Sequence, residues 1–233
     1  MNKIITLLFL SVVLFSSCKK DNNDPPPNQN TLSGLGQVHG FPTGTQFTLP
    51  PNVHIIGSIR GGDAKKMQGV DKNTYYGPFP VSTEKTNDYT EYGTGTYVNL
   101  YIQFYNSLGT DVTLTIPGGL IFCDSLDVID SLGIYQKGYI LQSVYIPLPA
   151  LDTAFACLRA YCLNHTLSPS SYDAVYYIGP ITNNPDLNQI STIMAPKQYP
   201  FGSEYNIQSI IWNVTDYGLT LDTAEIAYLN SLP

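Results

Sequence analysis

The chain has 233 residues, a formal net charge of −7 and only 12% charged residues. That acidic, weakly charged balance argues against nucleic acid or an anionic bilayer as the ligand of the folded part, since both recruit cationic surfaces. Tyrosine is abundant, at 18 residues, beside 19 glycines and 17 prolines, a composition that suits an exported β-rich domain with an uncharged, hydrogen-bonding surface.

The first segment, 1–17, carries one lysine, Lys3, then the apolar run from Ile4 to Phe15 and two serines. This is the layout of a secretory signal peptide, and the run is too short to count as a spanning helix. Leu14-Phe15-Ser16-Ser17-Cys18 resembles a bacterial lipobox, which implies that Cys18 receives acyl chains such as palmitate and becomes the first mature residue. Lipid on Cys18 would make a membrane the first partner of the chain. Residues 18–31 are polar and proline-rich, and Lys19 to Asn30 holds no hydrophobic residue to bury, so they read as a disordered tether. The lysines and acids after Cys18 look like those of surface lipoproteins of Gram-negative bacteria. The expected location is the outer membrane, either surface-exposed or facing the periplasm.

Residues 32–165 read as β-structure. Phe47-Thr48-Leu49 predicts an edge strand, Pro50-Pro51 a break, and Val53 to Ile59 a second strand. Gly61 to Thr94 reads as loop. Tyr97 to Tyr105 is rich in aromatic and β-branched residues. Val112, Leu114 and Ile116 alternate with polar residues, the pattern of a strand with one wet face. Leu120 to Cys123, Gly138 to Pro147 and Thr153 to Cys162 complete a series whose turn signals predict an Ig-like β-sandwich.

From 166 to 233 the spacing changes to threes and fours, predicting a small C-terminal helical subdomain packed on the sandwich. Pro185 after Asn184 starts one helix, with Leu187, Ile190 and Met194 on its buried face. Ser203 to Asn213 forms the next, with Ile207, Ile210 and Ile211 buried. Asp222 and Glu225 form a capping box for the last.

With Cys18 lipidated, Cys123, Cys157 and Cys162 remain. Cys157 and Cys162 are five apart and would face opposite sides of one strand. Cys123 with Cys157 is the candidate disulfide in an oxidising compartment, leaving Cys162 single; three buried free thiols are the alternative. Cys162 and His165 form a lone Cys-x-x-His with no second ligand pair, and His39 and His54 are distant, so neither metal nor cofactor is expected.

Tyr161-Cys162-Leu163 and Ile207-Gln208-Ser209-Ile210-Ile211-Trp212 resemble the two signature blocks of bacterial surface thioester domains. Ile207 stands where the family has threonine, and Ile210 where it has alanine. The resemblance implies a thioester between Cys162 and Gln208, with Tyr161 and Trp212 in the surrounding packing; His165, three after Cys162, would assist proton transfer if it folds back. It also implies covalent adhesion to amines on a partner surface. The bland alternative is that Cys162 is a small buried residue and Gln208 decorates a helix.

These features predict a lipid-anchored envelope protein with a binding or adhesion role, no catalytic residues, and a surface protein or glycan as ligand. A surface hydrolase acting on glycans would instead require convergent carboxylates in a cleft. A structural subunit of an envelope assembly would require an exposed apolar patch.

Overall fold

The computed structural model describes residues 32–62, 89–126, 133–198 and 202–233. The signal segment, Cys18, the tether and most of the loop expected over Gly61 to Thr94 lie outside the described residues. In chain order the strands are β1 (Gly44–Gln46), β2 (Val53–Gly61), β3 (Thr90–Gly93), β4 (Val98–Asn106), β5 (Val112–Ile116), β6 (Leu120–Asp124), β7 (Gly138–Tyr139), β8 (Val144–Leu148), β9 (Thr153–Cys162) and β10 (Val175–Thr182). The helices α1 (Pro185–Met194), α2 (Ser203–Thr215) and α3 (Thr223–Ser231) follow.

β4 and β9 form the spine, antiparallel and in register from Val98 opposite Ala160 to Tyr105 opposite Thr153. Both are long runs of β-formers, and their even-numbered residues (Leu100, Ile102, Phe104, Ala156, Leu158, Ala160) point into one apolar interior. β2 flanks β4, and β7 flanks β9 beyond its middle. β10 then pairs with β2 on one edge and with β6 on the other, while β6 pairs with β7.

That circuit closes a six-strand barrel. The expectation of a mainly β fold with C-terminal helices holds; in place of two stacked sheets, however, the main sheet bends round until its strands meet. A closed ring leaves fewer unpaired main-chain groups than two open sheets. β5 and β8 form a separate antiparallel ribbon. Its buried residues Leu114, Ile116, Val144 and Ile146 join the barrel's interior cluster, and its alternate residues face outward, as the alternation in β5 predicts.

Two strands escape the sequence pattern. β10 lies beyond Leu167, where only helices were expected, so the sheet continues past the anticipated boundary at 165/166. Its Gly179-Pro180 reads as a loop, yet a register irregularity between Ile178 and Ile181 accommodates the proline. β3 lies inside the stretch expected as loop and pairs in parallel with β9. The first strand is also displaced: it covers Gly44–Gln46 rather than Phe47 to Leu49.

The helices lie over the outer face of the β6–β7–β9 side. Leu187 and Ile190 of α1, Ile207, Ile211 and Val214 of α2, and Leu229 of α3 form one cluster with Ile121, Tyr139 and Tyr161. Asn184 caps α1 by accepting from the Leu187 amide, with Pro185 at the first helical position. Asp222 and Glu225 make both bonds of the capping box on α3. Tyr139 ties sheet to helix by donating its hydroxyl to the Leu187 carbonyl at 2.8 Å.

Candidate functional site

Cys162 is the last residue of β9, and its neighbours change there. The Leu163 amide donates to Lys137 on the β7 side, so the Cys162 amide and carbonyl point the other way, to the side held by β4. β4 begins only at Val98, opposite Ala160. The buried main chain of Cys162 has therefore run out of strand.

Gln208 of α2 takes the strand's place. Its side-chain Oε1 accepts from the Cys162 amide at 2.8 Å, and its Nε2 donates to the Cys162 carbonyl at 2.7 Å. Both residues are fully buried. A buried amide and carbonyl left unpaired each cost about 1–3 kcal/mol, which the carboxamide avoids on both sides at once. Residues separated by 46 positions thus meet, through the Gln208 carboxamide and the Cys162 main chain.

The sulfur has its own surroundings. It accepts from the Asn164 amide at 3.3 Å and lies within the barrel's interior cluster. Burial pushes the thiol up to about 12, against smaller opposing effects of the Asn164 amide and the Trp212 indole. The Trp212 Nε1 is itself buried without another partner, so the indole N–H and the sulfur are complementary neighbours even though their contact is looser than an ordinary hydrogen bond. Gln208 and Trp212 are four apart on α2 and share one helix face.

Of the other residues singled out in the sequence, Trp212 belongs to this setting and Tyr161 does not. Tyr161 faces the helical cluster on the opposite side of β9, as alternation along a strand requires. The His165 ring is exposed and packs edge-on against Trp212, with centroids 5.2 Å apart. Its main-chain amide donates to Asp216 Oδ1 at 3.0 Å.

Two residues not anticipated complete the seam. Asn164, buried, donates its Nδ2 to the Gly36 carbonyl at 2.5 Å and accepts from the Lys137 amide at 3.2 Å. Asp216, just past α2, accepts from both His165 and Thr215, and its carboxyl is raised above the usual range chiefly by burial. Asn213-Val214-Thr215-Asp216 directly follows Trp212, so the signal for Asp216 was present in the local sequence. Gly36 is fixed by close approach: its φ is +55°, and a Cβ there would lie 1.9 Å from the Thr215 carbonyl oxygen.

The candidate disulfide is corrected. Among the described residues none of Cys123, Cys157 and Cys162 forms a disulfide, and all three are buried. Cys123 lies under the helices and Cys157 packs with Tyr101 and Tyr89; β7 stands between β6 and β9 in the sheet, which keeps the two chains about 10 Å apart, two strand spacings. Among the described residues no group of three His, Cys, Asp or Glu side chains is placed to hold a metal ion.

Chemically, the arrangement offers a carbonyl oxygen, Gln208 Oε1, already held by a buried N–H. That is the donor an oxyanion would need if the thiol attacked the side-chain carbon. Against ready attack stand the high pKa and enclosure of the thiol; neither the cleft beside Arg159, the groove beside Phe41 nor the notch beside Asp111 is lined by Cys162 or Gln208.

The fold and seam define a six-strand β-barrel with a docked three-helix layer, in which one glutamine pairs the end of β9. Comparison with family models, curated proteins and solved structures finds no match.

Proposed function

We propose that the chain is a lipid-anchored envelope protein, held to the membrane through Cys18, whose folded domain binds or adheres rather than catalyses. The observation that carries its specific chemistry is the Gln208 carboxamide seated on Cys162. In the adhesive reading the Cys162 sulfur attacks the Gln208 side-chain carbon. The S–C bond forms, the C–N bond breaks, and the amide nitrogen leaves as ammonia carrying the thiol proton. The Cys162 amide steadies the oxygen throughout. A primary amine on a partner surface then displaces the sulfur, forming an amide with Gln208 and restoring the thiol.

A second reading is favoured by the thiol's burial and its pKa of about 12: the carboxamide acts only as a clamp that ends β9. Intact mass separates the two. If the thioester forms, wild-type protein is about 17 Da lighter than its sequence mass, by the ammonia lost when a carboxamide becomes an acyl sulfur, and Cys162→Ala is not. Methylamine then adds its own mass to wild type alone. An unshifted mass, with Cys162 alkylated only after unfolding, leaves the clamp.

A further inference from the structure

A groove of about 610 Å³ lies between β1, the chain leading into it, and β10, separate from the Cys162 seam. Its volume falls within the range of about 300–1,000 Å³ typical of ligand sites. None of its lining residues is acidic, basic or otherwise titratable. Phe41, 45% exposed, gives an aromatic face. Gln46 and Asn183 give carboxamides. The Gln46 side chain is exposed and makes no hydrogen bond within the described residues. Asn183 Oδ1 accepts from Thr43 Oγ1 at 2.8 Å, which orients its amide nitrogen and leaves both N–H donors available.

The walls are set in advance of any ligand. The Asn183 amide is bonded to the Thr43 carbonyl, and Asn183 directly precedes the α1 cap. β1 lies so close to β10 that a Cβ on Gly44 would sit 2.1 Å from the Ile181 carbonyl oxygen. Asn183, fixed in this way, binds with little ordering cost at the moment of contact, whereas the Gln46 side chain is ordered by the ligand.

We infer that this groove is a binding site for a neutral carbohydrate ring, with the apolar C–H face of the sugar on Phe41 and its hydroxyls on Gln46 and Asn183. A ligand with formal charge would find no counter-charge there and would lose hydration on entry. A peptide adding itself as a strand needs a run of free main-chain groups. β1 has only three residues, and Pro180, its partner at Gln46, lacks an N–H. A hydroxylated ring uses the aromatic face and the two carboxamides together. This inference rests on the reading of the chain as a binding protein and not on the thioester; the amine test and the sugar test read different residues, so either can fail alone.

The test is a ligand-observed NMR titration of the full chain with methyl glucoside, methyl galactoside, methyl mannoside, methyl N-acetylglucosaminide and cellobiose, beside a proline-rich peptide and a sialylated sugar. At least one neutral sugar should bind with Kd below about 10 mM, and Phe41→Ala should weaken it at least about tenfold with an unchanged melting temperature. Should Phe41→Ala disturb folding, Gln46→Ala carries the same test, because among the described residues its exposed side chain has no hydrogen-bond partner. The inference is overturned if no neutral sugar binds, if binding survives both substitutions undiminished, or if only the peptide or the charged sugar occupies the groove.

Discussion

From Thr153 to Ala160, β9 is held on one side by an unbroken ladder to β4; two residues later, the same side is held by a single side chain. In the ladder each main-chain bond is reinforced by its neighbours and by the interior packing of Leu158 and Ala160. At Cys162 the equivalent bonds come from a helix that belongs to a different apolar cluster. The difference teaches where the molecule is redundant and where it is not. A main-chain bond lost from the ladder still has its neighbours on either side, whereas the joint at Cys162 rests on the one Gln208 side chain, beside the Tyr139, Gln142 and Ser191 bonds that also tie barrel to helices.

The largest expected effect lies in the redundant part, because it removes packing rather than a bond. Leu158→Ala should lower unfolding stability by about 2–5 kcal/mol, read from urea denaturation, while leaving the seam intact. Gln208→Ala sharpens the contrast. It strands a buried amide and carbonyl and should cost about 2–4 kcal/mol. If it cost no more than an exposed helix substitution, the joint would lie elsewhere. Asp222→Ala, which removes only the α3 cap, should cost about 1 kcal/mol and marks the lower end of the series.

Titration of the free thiol gives a subtler view of the same place. The folded thiol of Cys162 ionises near 12 against an ordinary value of 9.0, because burial disfavours the thiolate. The folded state therefore keeps its proton longer than the unfolded chain, so this contribution to stability is complete below pH 9 and is lost as pH rises from about 9 to about 12. Cys162→Ala should flatten that part of the wild-type profile, measured as the difference between the two stability curves. A difference independent of pH across that window would mean that the sulfur is solvated or already acylated.

Much of the secondary structure was legible. The aromatic run of β4, the alternation of β5, Pro185 at the start of α1 and the Asp222–Glu225 capping box are local signals that the packing did not override. β10 was not legible, because Gly179 and Pro180 imitate a loop; only its neighbours on both edges make it a strand. Closure of the barrel was hidden for a related reason. Alternation reveals that a strand has a wet face, but not whether the sheet's ends meet. For the site, the spacing of Gln208 and Trp212 placed them on one helix face, and the seam did bring that face to Cys162. That the carboxamide would seek the main chain follows from β4 stopping at Val98, which no pattern in either signature block records.

The central claim is that Gln208 completes the main-chain bonding of Cys162, and hydrogen exchange at one amide tests it whether or not a thioester forms. In native protein the Cys162 amide should exchange within about tenfold of the Ala160 amide, which faces the same side of β9 inside the ladder. Exchange of the Cys162 amide at the rate of an exposed loop amide, with Ala160 still protected, would contradict the account.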